Sequence, residues 1–190
     1  RAYSLSNTAN EKREWHFQIR RVANGQGTQV LFEQLTEGDE IGLDGPYGTA
    51  YLRTDSPRDM VCVAGGSGLA PMISISRGAV EAGLLVGKKL YFFYGARTPR
   101  DVCGEEMLRV LAGFGEQIVY VPVVSVPGDK GEWGGATGFV HDAVVRTLPR
   151  ELVNYEFYFA GPPPMTQAFQ ELLMLSHQVP FEQIHFDRFF

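Results

Sequence analysis

Four stretches of this sequence carry residue types that can grip a phosphorylated, aromatic ligand. RAYSLSN sets a guanidinium at Arg1, a ring with a polar tip at Tyr3 and a hydroxyl at Ser4. A guanidinium holds a phosphate bidentately, an aromatic ring offers a stacking face, and a hydroxyl beside both adds a donor. Gly27 and Thr28 begin a short helix-like stretch to Leu35, whose start is a second place for an anion. In AGGSGLAP (Ala64 to Pro71), glycines at 65, 66 and 68 let the backbone approach a ligand, and Ser67 adds a donor. Pro71 suits the first turn of the helix that follows, so amides and helix start together suit a pyrophosphate. AGPPPM (Ala160 to Met165) sets three prolines in a row, a stiff wall that favours a flat ligand. Each stretch alone also has a plain structural reading, as an edge strand or a rigid turn. Two phosphate devices and a stacking ring together suggest a dinucleotide with an aromatic tricycle.

The elements that must position these residues change texture once. Up to about Arg53 the pattern has period two, with Phe17, Ile19 and Val22 alternating with polar residues, which predicts a β-rich piece. After TDSPRD, apolar strands alternate with amphipathic helices: DMVCVA, KKLYFFY, QIVYVPVV and YEFYFA read as strands. LAPMISISRGAVEAG, CGEEMLRVLAG, FVHDAVVRTL and MTQAFQELLMLS read as helices. Four strands alternating with four helices predict a parallel, doubly wound sheet, with ligands beyond the carboxyl ends of its strands. The YFFY run (Tyr91 to Tyr94) reads as a strand buried on both faces.

Composition excludes other classes. With 44% hydrophobic residues over 190 positions the chain can bury a core. A net charge of −5 without a basic run argues against a nucleic-acid surface. No apolar run approaches the roughly 20 residues of a membrane helix, and no signal peptide is visible. Cys62, in a strand-like run, and Cys103, in a helix-like run, have no partner spacing, which fits reduced thiols in the cytoplasm. His16, His141, His177 and His185 lack metal-ligand spacing, so no metal site is expected. Asp101, Glu105 and Glu106 read as a solvated helix start, and Trp133 either borders a ligand or sits in a flexible loop.

These residues carry a resemblance. RAYSLSN resembles the R-x-Y-S flavin signature of the ferredoxin–NADP(+) reductase family, and GPYG (Gly45 to Gly48) resembles the turn that closes its FAD barrel. GGSGLAP resembles its nicotinamide-nucleotide loop, and AGPPPM its GPPPM element. The chain looks most like the NADH-dependent reductase components of bacterial aromatic-ring dioxygenases and multicomponent monooxygenases, some of which end in an aromatic, as FDRFF does.

The resemblance implies an antiparallel β-barrel FAD domain, only its C-terminal part present in 1–54, followed by an α/β nucleotide domain in 55–190. It implies that the first barrel strands and a two-iron ferredoxin domain belong to the missing part of a longer chain. The implied reaction moves a hydride from NADH to FAD and single electrons to an iron-sulfur centre, serving a ferredoxin or oxygenase component. A non-catalytic nucleotide-binding module of the same fold is the alternative; RAYSLSN favours the enzyme. By resemblance, Arg1 holds the FAD pyrophosphate, Tyr3 stacks on the flavin, Ser4 bonds near its N5, and Gly27 and Thr28 cap the pyrophosphate. Gly66, Ser67 and Gly68, with Pro71 behind them, cradle the pyrophosphate of NAD; Gly161 and Pro162 border nicotinamide; Asp187 orients it. Phe189 and Phe190 shield the second flavin face and must move for hydride transfer; a terminal aromatic pair would otherwise be an unusual exposure. Two departures stand out. Ala160 occupies the place of a family cysteine, and Val126 follows Ser125 where NADP-users carry arginine, which favours NADH unless Arg97, Arg100 or Lys130 supplies the cation.

Overall fold

The computed structural model describes residues 1–129 and 132–188. Its centre is a six-stranded, all-parallel sheet in the order β4-β3-β2-β1-β5-β6. The strands are β1 (Asp59–Gly65), β2 (Leu90–Ala96), β3 (Ile118–Val124), β4 (Ala136–Thr137), β5 (Tyr155–Gly161) and β6 (Ile184–Arg188). The four apolar runs became β1, β2, β3 and β5, as their composition predicts. The other two strands sit at the sheet edges, where period and length say little: β4 has two residues, and β6 mixes His185, Asp187 and Arg188 into its five.

Alternate residues of each central strand feed two separate cores. Cys62, Ala64, Phe92, Tyr94 and Tyr158 pack under α2 (Leu69–Glu81) and α3 (Glu105–Arg109). Val61, Val63, Tyr91, Phe93, Phe157 and Phe159 pack under α4 (Val140–Thr147) and α5 (Pro163–Glu171). YFFY is therefore buried on both faces, the signature of a covered parallel sheet. Each fully buried phenylalanine contributes about 1.5–3 kcal/mol through loss of apolar surface from water.

Two local expectations are corrected. Cys103 lies in the loop before α3, because Gly104 at φ +96 cannot sit inside a right-handed helix and starts α3 only at Glu105. The three prolines are not a wall: Pro162 is extended, while Pro163 and Pro164 open α5, where a missing N–H costs nothing. Asp101 closes a turn at Pro99–Asp101 by accepting the Thr98 amide (3.1 Å) and hydroxyl (2.8 Å), and Glu105 pairs with Arg109 four residues on.

The first 58 residues are mostly extended, and their ladder is short. Among the described residues one antiparallel bridge, Leu5 to Phe17, joins them, so the alternation at Phe17, Ile19 and Val22 does not continue as a strand. Side chains take the backbone partners instead: Asn7 Oδ1 accepts the His16 amide (2.8 Å), and Asn10 Oδ1 accepts the Glu14 amide (3.1 Å). The helix-like stretch forms α1 (Gln26–Gln29) and runs on through one wider turn over Val30–Gln34.

This segment rides on the outer face of α2. Ser74 Oγ donates to the Asn7 carbonyl (3.0 Å), Arg77 Nη1 to the Ser6 carbonyl (2.9 Å), and Thr8 Oγ1 to Glu81 (3.0 Å). Positions 74, 77 and 81 share one helix face, and Gly78 between them admits Leu52. At the carboxyl edge of the sheet the segment spans from Arg20, 4.0 Å from Asp101, to Thr49, whose amide donates to Asp187 (3.0 Å).

Candidate dinucleotide and flavin site

Strand order reverses at β1, which has β2 on one side and β5 on the other. In an open parallel sheet the crevice beyond such a reversal is where ligands bind. The loops leaving β1 and β5 at that point are Gly66–Gly68 and Gly161–Pro162, so the topology brings the two sequence-predicted nucleotide stretches together.

The loops interlock. A Cβ at Gly68 would lie 1.9 Å from the Ala160 carbonyl oxygen, and one at Gly65 would lie 2.6 Å from Met165 Sδ. Only glycine lets the β1 turn sit this close to β5. Gly66 has a different reason: its φ of +55 is left-handed, and a Cβ there would meet nothing within 4 Å. The backbone at Gly66 thus faces open space, and Ser67 beside it is exposed, while Gly68 and Pro71 are buried and hold the loop from behind. Amides in that open turn, at the start of the thirteen-residue α2, can take a pyrophosphate.

Arg1, Tyr3 and Gly27 also meet. A Cβ at Gly27 would stand 3.0 Å from Tyr3 Oη and 3.6 Å from Arg1 Cβ, so the base of the Arg1 side chain and the hydroxyl tip of the Tyr3 ring lie against the backbone at the start of α1. Arg1 and Tyr3 are exposed and Ser4 is half-buried next to them. Thr28 is buried, and its hydroxyl donates to the carbonyls of Val22 (3.2 Å) and Gly25 (3.1 Å), which makes it a brace for α1. The donor set, one guanidinium residue and a tyrosine ring beside a glycine, fits the pyrophosphate and flavin of FAD in chemical type; the open turn at Gly66 fits the pyrophosphate of NAD.

The remaining expected residues fall around this edge. Arg97 is exposed just past β2, and its carbonyl accepts the Val126 amide (2.7 Å). Ser125 donates its amide to the Ala96 carbonyl (3.0 Å), so the Ser125-Val126 pair sits beside Arg97 at the sheet's carboxyl edge. Asp187 lies level with Ala160 on the neighbouring strand, but its carboxylate accepts the Thr49 amide and packs on Gly48, where a Cβ would come within 2.8 Å. Trp133 donates to the Ala136 carbonyl (2.9 Å), which fixes its ring in a half-buried place against the core under α2. Phe189, Phe190 and Lys130 lie outside the described residues.

Sequence reasoning missed a buried cluster at the opposite, amino end of the sheet. Glu156 is 3% and His185 6% exposed, with His185 Nε2 2.7 Å from Glu156 Oε1. Glu156 Oε2 accepts from Ser56 Oγ (2.7 Å) and Arg58 Nη1 (3.1 Å). Burial works to raise the Glu156 carboxyl, but the hydrogen bonds from His185 and Ser56 and the charges of His185 and Arg58 hold it below its ordinary value. A glutamate inside an otherwise apolar strand, YEFYFA, is the signal that could have found it. Burial pushes the Cys62 thiol up to about 12, against a hydrogen bond with Ser76, and leaves it inert. Among the described residues no group of three or more metal-ligating side chains gathers, and no helix is long and apolar enough to cross a membrane.

Comparison with known proteins agrees with this geometry. The Oxidoreductase NAD-binding domain family matches residues 62–171, and the Oxidoreductase FAD-binding domain family matches residues 1–51. The chain is 38% identical to the ferredoxin–NAD(P)(+) reductase CarAd of Metapseudomonas resinovorans, over all of this chain and 55% of that protein. It is equally 38% identical to the ferredoxin–NAD(+) reductase component of the alkene monooxygenase system of Xanthobacter autotrophicus, over all of this chain and 57% of that one. Among solved structures, the ferredoxin reductase in carbazole 1,9a-dioxygenase superposes with a TM-score of 0.83 at 36% identity, covering all of this chain and 55% of its own. The chain spans about half the length of the curated relatives it matches. Two matching family profiles, over a parallel sheet with a glycine turn at its strand-order reversal, place this chain in the family of oxidoreductases that join an FAD-binding to an NAD-binding domain.

Proposed function

We propose that the protein is the reductase component of a bacterial aromatic-ring oxygenase system, moving electrons from NADH through FAD to an iron-sulfur centre. The observation that carries this reading is the meeting of the Gly66–Gly68 and Ala160–Pro162 loops at the strand-order reversal, in a chain that also joins Arg1, Tyr3 and Gly27. The names of the relatives, reductases of dioxygenase and monooxygenase systems, supply the partner class.

Bound FAD supplies the conversion of a hydride's electron pair into single electrons. The chain's own residues bind and align. Arg1 holds the FAD pyrophosphate, Tyr3 stacks on the flavin and Ser4 donates to its edge, within residues 1–54 as the flavin-binding part. Gly66, Ser67 and Gly68 take the NADH pyrophosphate, and Gly161 and Pro162 border the nicotinamide, within residues 55–190. Ala160 at the end of β5 adds no thiol to that border, so alignment falls to the loop backbones. Val126, 50% exposed, offers no cation of its own to a 2′-phosphate, which favours NADH; the exposed Arg97 beside it is a cation that would offset this preference if it turned to the phosphate. A two-iron cluster belongs to the rest of the full-length protein, a ferredoxin or oxygenase receives the electrons, and two free cysteines fit a cytoplasmic setting.

Titrating the full-length protein with FAD and then adding NADH without oxygen tests the reading. Uptake of FAD followed by loss of the flavin's visible absorption is the expected result. A protein that takes up no FAD, or whose bound FAD stays oxidised with NADH, overturns it.

A further inference from the structure

Residues 49–58 leave the flavin-binding segment and run the length of β5 and β6 before entering β1. They are held at both ends and in the middle. At the carboxyl end the Thr49 amide donates to Asp187 (3.0 Å) and its hydroxyl to the Phe186 carbonyl (2.9 Å). In the middle the Arg53 amide donates to Tyr158 Oη (3.1 Å), and the Tyr158 ring lies 5.1 Å from the His185 ring. At the amino end Ser56 and Arg58 both donate to Glu156, whose other oxygen faces His185, and Lys88 Nζ donates to the Ser56 carbonyl (2.9 Å).

We propose that Glu156 and His185 are positioning residues: they fix the path of residues 49–58, and so set the flavin-binding segment against the nicotinamide loops. This rests on the function proposed above. Glu156 sits five residues before Gly161 on one strand, roughly 17 Å from the loop, so it touches neither ligand. A buried carboxylate–imidazole contact is a poor way to hold two strands together, because an apolar pair does so without desolvating polar groups. What an apolar pair cannot do is accept Ser56 and Arg58 from the connecting segment. Both contacts end on one oxygen, so the carboxylate ties the amino end of the connector to β5 and, through His185, to β6, as Tyr158 ties its middle. β6 in turn carries Asp187, the clasp on Thr49 at the far end. A shift of about 1 Å between the two halves is enough to cost on the order of 100-fold in a reaction that needs two stacked rings.

The test uses the full-length, FAD-loaded protein with Glu156→Gln and with the apolar pair Glu156→Leu/His185→Leu. Expected are near-parental FAD affinity and a KM for NADH within about threefold of the parent, with hydride transfer slowed roughly 10–100-fold in stopped flow. The charge-transfer absorbance on mixing with NAD should shrink, and amide exchange at Thr49 and Arg53 should quicken. Glu156→Asp should restore part of the rate, since a carboxylate remains. A folded Leu pair with parental transfer rate and parental exchange protection overturns the proposal. If the Leu pair does not fold, Glu156→Gln decides: parental rate and exchange in that variant overturn it equally. Failure of the parent to be reduced by NADH overturns the proposed function instead, while exchange at Thr49 and Arg53 still reports whether Glu156 fixes the connector.

Discussion

A methyl group at position 68 would have to share space with the Ala160 carbonyl oxygen, 1.9 Å away, and both partners are backbone. Neither can rotate aside, so Gly68→Ala must part the β1 turn from β5. Such overpacking costs about 1–3 kcal/mol. The variant is expected to melt several degrees lower and to bind NADH more weakly, since the amides of the turn move with it. Gly66→Ala separates strain from crowding: its methyl meets open space, and only the left-handed φ of +55 opposes it, at about 1–2 kcal/mol. Thermal melts and nucleotide titrations of the two variants check this; a Gly68→Ala protein with parental melting and NADH affinity would show that the loops yield freely. The glycines of one motif thus serve different ends, one for closeness and one for backbone handedness.

At the scale of elements, β5 combines two tasks that its sequence keeps apart. Its carboxyl end delivers Ala160 and Gly161 to the loop, and its amino end buries Glu156 under the connector. Because the folded protein holds the Glu156 carboxyl below its ordinary value of 4.5, this group's contribution to stability is present above pH 4.5. It is lost as pH falls below 4.5 through the folded-state value, where protonation breaks the bonds from His185, Ser56 and Arg58. Urea unfolding measured from pH 7 to pH 3 should therefore show a steep loss of stability below about pH 4.5. Glu156→Gln should be less stable than the parent at pH 7 and show a shallower acid limb. Parallel curves for the two proteins would mean that other carboxylates carry the acid sensitivity. α2 shows the same division of labour around its circumference. Leu69, Met72, Ile73 and Ala79 face the core, while Ser74, Arg77 and Glu81 hold residues 6–8.

For the whole molecule, the sheet's carboxyl edge is a shared bench. The nucleotide turn, the Ala160–Pro162 loop, Arg97, Ser125-Val126 and Asp187 all end there, and the first segment crosses it from Asp101 to Asp187. Nucleotide preference belongs at this scale, because it depends on which side chains from different strands face the ribose end of the ligand. Val126 is exposed and its backbone amide is already committed to Arg97, so replacing its side chain leaves the loop's hydrogen bond intact. Val126→Arg should therefore raise kcat/KM for NADPH about ten- to hundredfold relative to NADH by adding a charge-assisted contact worth about 1.5–3 kcal/mol. Steady-state reduction of a dye acceptor with each nucleotide measures it. An unchanged ratio would place the 2′-phosphate away from β3, and equal use of both nucleotides by the parent would remove Val126 as a determinant.

What the sequence determined by itself was what depends on local pattern. Runs apolar on both faces fixed β1, β2, β3 and β5, glycines and Pro71 marked the turn before α2, and GGSGLAP and AGPPPM picked out the two loops that meet in the fold. Edge strands escaped because one is too short and the other too polar for periodicity to register. The first segment's alternation looked like ladder strands, yet a strand exists only with a partner, and Asn7 and Asn10 satisfy its backbone instead. Tertiary structure alone decided the contacts between residues far apart in the chain. It put Gly68 against Ala160, Tyr3 against Gly27, Thr49 against Asp187, and Ser56 against Glu156. None of these pairs has a spacing that propensity or period can read, because each is set by strand order and by how closely two backbones can approach. The order 4-3-2-1-5-6 made the turn after β1 and the Ala160–Pro162 loop neighbours.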